Sequence, residues 1–93
     1  MMRLSAKRVR KELKTLEGWK LKGKGICRTF SFKDFVESIY FVTRVAALAE
    51  EFDHHPDFLI MYDKVRLTLT THDEGGLTEK DFKLARHINR LRT

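Results

Sequence analysis

At 93 residues the chain has room for one domain with its own hydrophobic core and not for two. Its 42% apolar content argues against disorder, and its single cysteine, Cys27, excludes both an intrachain disulfide framework and a multi-cysteine zinc site. The net charge of +6 concentrates at the ends, in Arg3, Lys7, Arg8, Arg10, Lys11 and Lys14 and again in Lys83, Arg86, Arg90 and Arg92. These read as the solvated faces of two amphipathic helices. A nucleic-acid surface is the sharper reading, and no helix-turn-helix, finger or aromatic-basic strand signature supports it.

No apolar run approaches the roughly 20 residues needed to span a bilayer. The segment Met1 to Lys7 also lacks the continuous apolar stretch of a signal peptide, so a soluble cytoplasmic protein is expected.

In chain order, Ser5 caps a first helix whose apolar residues Val9, Leu13 and Leu16 recur at helical spacing, with Leu4 and Val9 placed as a hydrophobic staple. Trp19 and Leu21 alternate with lysines in a first strand. Gly23-Lys24-Gly25 turns the chain, and Ile26, Arg28 and Phe30 share one side of the returning strand. Ser31-Phe32-Lys33-Asp34 predicts a capping box for a second helix, with Phe30 and Phe35 as its staple. Phe35, Ile39, Val42, Ala46 and Ala49 form its buried stripe up to about Phe52.

Pro56, the only proline, drives His55 out of the α region and ends that helix near Phe52 to His54. A strand from Phe58 to Tyr62 then turns at Asp63-Lys64 into a second from Val65 to Thr71. Val65, Leu67 and Leu69 face one way; Arg66, Thr68, Thr70 and His72 face the other. Thr78 caps a third helix, Asp81 closes its box, Leu77 meets Phe82, and Leu84, Ile88 and Leu91 continue the apolar face. The expected fold is α+β: an α-β-β-α-β-β-α two-layer sandwich in which three helices pack on one face of a four-stranded antiparallel sheet, one domain over 1–93. Its exposed strand edges predict a homodimer, joined edge to edge or through helix faces.

Three of the four histidines fall at turn or strand-end positions: His54 and His55 together, then His72. Imidazole exchanges protons near neutral pH, so acid–base chemistry is the first functional reading. Neighbouring side chains of an extended segment point to opposite sides, so His54 and His55 do not suit one metal ion, and no metal is expected. Taken singly, each residue has a plainer role. His54 can be a cation at a helix C-terminus, His72 a solvent-facing strand end, His87 a surface residue of the last helix, and Asp81 a cap accepting from the Thr78 backbone N–H.

The joint pattern decides otherwise. Glu50, three residues, His54-His55-Pro56, five residues, Tyr62, nine residues, His72, eight residues, Asp81: this resembles the signature of the pterin-4a-carbinolamine dehydratase family. The likeness extends over nearly the whole chain, through Trp19 and the segment Thr71-His72 to Gly76-Leu77-Thr78, and Phe58 stands where many relatives carry tryptophan.

The resemblance implies dehydration of 4a-hydroxytetrahydropterins to quinonoid dihydropterins, without cofactor. By position it implies that His54 and His72 form the acid–base pair, in either order, with His55 positioning substrate and able to share proton transfer. Pro56 would fix the exit of the histidine pair, Phe58 an apolar wall, and Asp81 an imidazole or the local backbone, with Thr71 in support. Glu50 would hold a histidine or remain a solvated carboxylate. The resemblance also implies a helix surface that makes a homotetramer, with exposed Tyr40 and Phe41 of the second helix serving that self-association. Rival expectations are a non-catalytic dimerisation or regulatory role with a protein partner through the same surface, and a pterin-related role linked to molybdenum cofactor.

Overall fold

Ser5 stands extended ahead of α1 (Ala6–Leu13), and its hydroxyl accepts from the Arg8 backbone N–H at 3.1 Å, as a serine cap should. The structure, a computed structural model, describes residues 2–91, so Arg92 among the C-terminal basic residues lies outside the described residues. Leu4 donates its backbone N–H to the Leu77 carbonyl at 2.7 Å, which ties the entry of α1 to the start of the last helix. α1 ends three residues before Leu16, which is buried from the following turn rather than from the helix.

Among the described residues the element order is α1, β1 (Lys20–Lys22), β2 (Gly25–Ser31), α2 (Phe35–Phe52), β3 (Asp57–Met61), β4 (Lys64–Leu69), a one-turn 3-10 helix (His72–Glu74) and α3 (Glu79–Arg90). The strands form one antiparallel sheet in the order β1-β2-β4-β3. Ile26 and Phe30 from β2 and Val65, Leu67 and Leu69 from β4 are buried in a single core with Val9, Phe41, Val45, Phe82, Leu84 and Ile88 from the helices. This is the expected two-layer α+β arrangement. Trp19 closes one end of the core: its indole N–H donates to Asn89 Oδ1 at 2.8 Å.

Four local expectations are corrected. Ser31 does not cap α2. It completes β2 opposite Lys64, and the Phe32 N–H continues the ladder to the Asp63 carbonyl at 2.8 Å. Cross-strand pairing therefore keeps the chain extended, and Asp34 becomes the cap. Its carboxylate accepts from the Glu37 N–H at 2.9 Å, while Glu37 Oε1 accepts from the Lys33 N–H at 3.0 Å.

The buried stripe of α2 is rotated as well, to Ser38, Phe41, Val45 and Ala49, while Phe35, Ile39 and Ala46 are exposed and Val42 is half-buried. Phe41, expected outside, packs its ring 4.8 Å from Phe30 and 4.9 Å from Phe32, and this aromatic cluster sets the helix rotation. Tyr40 stays outside.

The β3–β4 loop is Tyr62-Asp63, because Met61 already pairs with Lys64. β4 also stops at Leu69, so His72 opens the 3-10 turn instead of ending a strand.

Candidate active site

The site begins where α2 stops. Asp53 takes a left-handed conformation (φ 51°, ψ 45°), its N–H donates to the Glu50 carbonyl at 3.3 Å, and the His54 N–H donates to the Ala49 carbonyl at 3.1 Å. Those two bonds make a Schellman ending, with Asp53 in the place glycine usually fills. Pro56 is buried two residues later and bars any return to helix. His54 thus leaves the helix at a fixed angle and turns inward.

Its imidazole is 11% exposed, and Nε2 lies 2.6 Å from Oδ1 of a fully buried Asp81. The second carboxylate oxygen, Oδ2, accepts from the Thr71 hydroxyl at 2.8 Å and from the Thr78 backbone N–H at 2.9 Å. The latter bond is one half of the capping box of α3, so one side chain both starts a helix and holds a histidine. Thr71 and Thr78 touch hydroxyl to hydroxyl at 2.9 Å. A buried carboxylate with every oxygen matched is the arrangement a low-dielectric interior tolerates.

His55 takes a different partner. Its Nε2 lies 2.6 Å from Glu50 Oε2, one helical turn back, and both side chains are mostly exposed, at 56% and 78%. His72 is exposed on the helix-free side of the sheet, on a groove of about 360 Å³ shared with Lys22, Lys24, Thr68 and Thr70. His54 instead lines a cavity of about 770 Å³ walled by α1, the end of α2 and α3, among Arg8, Glu12, Phe52, Lys83 and Arg86. Phe58 lies on the edge strand opposite Leu67 and is partly exposed.

The structure therefore joins His54, Asp81 and Thr71, joins His55 to Glu50, and sets His72 on a separate groove immediately after Thr71. Among the described residues no three histidine, cysteine, aspartate or glutamate side chains are grouped as metal ligands.

Two features near the site differ from what the sequence alone indicates. An ion cluster braces α1 against α3. Glu12 Oε2 accepts from Arg8 Nε at 2.9 Å, Glu12 Oε1 accepts from Arg86 Nη2, and Arg8 Nη2 donates to Glu79 Oε1 at 3.0 Å. The Arg8 guanidinium foremost, with Arg86 behind it and burial opposing both, holds the Glu12 carboxyl below the usual carboxylate range. The four-residue spacing of Arg8 and Glu12 is the one signal that could have disclosed part of it.

His87 is the second. Its ring packs edge-on to Phe52 at 4.7 Å, and Nδ1 is hydrogen-bonded to the Lys83 carbonyl at 3.0 Å, so it is half-buried rather than a plain surface residue.

Comparison with known proteins agrees with this architecture. The family model of pterin 4 alpha carbinolamine dehydratase matches residues 2–91. A protein of Chloroflexus aurantiacus named "Putative pterin-4-alpha-carbinolamine dehydratase" is 50% identical over 91 residues, 98% of either chain. One of Sulfurisphaera tokodaii with the same name is 46% identical over 93 residues, all of both chains. A crystal structure described as "transcriptional coactivator/pterin dehydratase from Brucella Melitensis" superposes with a TM-score of 0.92 at 40% identity, covering 98% of this chain and 99% of that one. A pterin dehydratase-like protein identified as a RuBisCO assembly factor of the alpha-carboxysome shares the fold, with a TM-score of 0.65 at 24% identity over 78% of this chain and 84% of its own.

Proposed function

The chain belongs to the pterin 4 alpha carbinolamine dehydratase family, and on that premise we propose that it dehydrates 4a-hydroxytetrahydropterins by histidine acid–base catalysis. The reaction is an elimination. A proton goes to the 4a hydroxyl, the C–O bond breaks, water leaves, and the adjacent ring nitrogen loses its hydrogen as its lone pair forms the new C=N bond. Electrons balance without an oxidant or reductant, and two groups able to exchange protons near neutral pH suffice.

The observation that carries the reading is the His54–Asp81 pair at 2.6 Å, an imidazole held by a fully buried carboxylate. A histidine held by a buried carboxylate has one nitrogen committed to its orienter and one left for chemistry. His72 is the second member of the acid–base pair. Its side chain lies on the separate groove, and the Asp81–Thr71 bond links the residue before it to the carboxylate that holds His54. His55, exposed and held by Glu50, positions the substrate, Pro56 fixes the chain that presents both histidines, and Phe58 offers an apolar wall.

A coupled assay on freshly generated 4a-hydroxytetrahydropterin tests this. His54→Ala and His72→Ala should each lower kcat/KM by about 10²-fold while the protein stays folded. Wild-type turnover in either variant would refute the assignment of that histidine.

Self-association belongs to the same reading. The outer strand β3 exposes Phe58, Leu59, Ile60 and Met61, and the outer face of α2 exposes Phe35, Val36, Ile39 and Tyr40. An unpaired apolar edge and an apolar helix face favour a homodimer or homotetramer of a cytoplasmic enzyme. The α2 face also supports a second reading, docking of a protein partner in a regulatory role. That complex would survive replacement of His54 and His72, and catalysis would not.

A further inference from the structure

The hydrogen-bond chain behind His54 has only one consistent direction. Asp81 Oδ2 receives two donors, the Thr71 hydroxyl at 2.8 Å and the Thr78 N–H at 2.9 Å. A threonine hydroxyl has a single proton, so Thr71, having given its own to Asp81, can only accept from the Thr78 hydroxyl 2.9 Å away. Thr78 is free to donate, because its oxygen accepts from backbone N–H groups at the start of α3. The protons therefore run from Thr78 to Thr71 to Asp81. With Oδ2 filled, the carboxylate presents Oδ1 to the histidine.

We propose that Thr71 is a positioning residue: by occupying Asp81 Oδ2 it keeps Oδ1 on His54 Nε2, fixes the Nε2–H tautomer, and leaves His54 Nδ1 as the nitrogen that exchanges a proton with substrate. This rests on the acid–base reading above and adds the atom that acts and the group that selects it. The Thr71 hydroxyl is engaged by Asp81 and Thr78 and acts through His54, so its effect falls on turnover rather than on substrate affinity.

Imidazole nitrogen NMR on labelled protein at about pH 8, where a free imidazole is neutral, reads the tautomer directly. Wild type should show His54 with its proton on Nε2. Thr71→Val, which keeps shape and removes the hydroxyl, should admit the Nδ1–H form and lower kcat about tenfold with KM nearly unchanged, and Thr71→Ser should restore both. An Nδ1–H signal for His54 in wild type would overturn the inference even if Thr71→Val failed to fold. So would a Thr71→Val protein with the wild-type tautomer. A changed tautomer with unchanged turnover would uphold the hydrogen-bond chain and refute the acid–base role of His54.

Discussion

His54 and Asp81 are 27 residues apart in the chain, yet their side chains meet at 2.6 Å, with the carboxylate wholly buried. The contact welds the end of α2 to the start of α3, so the two elements cannot separate without leaving a buried acceptor unmatched. Asp81→Ala should therefore be costly twice over. Removing the carboxylate strands the Thr78 N–H and the Thr71 hydroxyl and abolishes the capping box, for a loss of about 3 kcal/mol in a denaturant melt. Turnover should fall in the same protein.

Asp81→Asn separates the two roles. The amide oxygen can still accept from Thr71 and Thr78, so the cap survives and the melt should shift by only about 1 kcal/mol. The amide nitrogen then faces His54 Nε2 and can only donate, which forces the opposite tautomer. Catalysis should drop by about 10²-fold or more despite the retained fold. Parallel kinetics and denaturation measure both, and an active Asp81→Asn protein would mean that the His54 tautomer is irrelevant.

The Glu50–His55 pair should behave in the opposite way. It has the same 2.6 Å separation, but both side chains are largely in water. Exposed pairs contribute little, so Glu50→Gln should alter stability by less than about 0.5 kcal/mol. If Glu50 orients His55 toward substrate, the change appears as a raised KM, and steady-state kinetics would register it.

How much of this was legible in the sequence depended on whether the signal was local. The Thr78–Asp81 box and the ending of α2 before Pro56 were readable, because each is decided within four or five residues. The start of α2 was not: Ser31 carries a good capping signal, but its pairing with Lys64 of β4 overrides it, and strand pairing is a long-range choice. The rotation of α2 was lost for a similar reason, since Phe41 is drawn in by Phe30 and Phe32. For the candidate site, the motif singles out Glu50, His54, His55, His72 and Asp81, whereas the pairings among them are not written in it. Nothing in the spacing says that His54 takes Asp81 while His55 takes Glu50, or that Thr71 completes the carboxylate. Those follow from the angle at which Asp53 releases the chain.

That angle has its own test. Asp53 holds φ 51° and ψ 45°, a conformation that costs an ordinary L-residue about 1 kcal/mol and glycine almost nothing. Asp53→Gly should stabilise the protein by up to about 1 kcal/mol with His54 in place and activity kept. Asp53→Val, β-branched and poorly suited to that region, should destabilise it by about 2 kcal/mol and disturb the His54–Asp81 contact. Thermal melts with activity measurements on the two variants check the contrast; equal behaviour would show that the left-handed ending does not position the histidine.

The ion cluster that braces α1 sets an acid limit on stability. Hydrogen bonds from Arg8 and then Arg86 lower the Glu12 carboxyl from its ordinary value of 4.5. A carboxylate with a depressed folded-state value contributes stability that is fully present above its unfolded value and is lost as pH falls through the folded one. The contribution should thus hold at neutral pH and fade below about 4.5. Glu12 is partly solvated, so screening limits it to the order of 1 kcal/mol. Glu12→Gln should melt lower than wild type at pH 7, and the two curves should converge on acidification. Added salt should narrow the gap at pH 7, because screening weakens the pairs that Arg8 and Arg86 make with this carboxylate. Urea unfolding of both proteins across that pH range measures the difference, and a gap that persisted unchanged into acid would mean that packing of the Glu12 stem, and not its charge, braces α1.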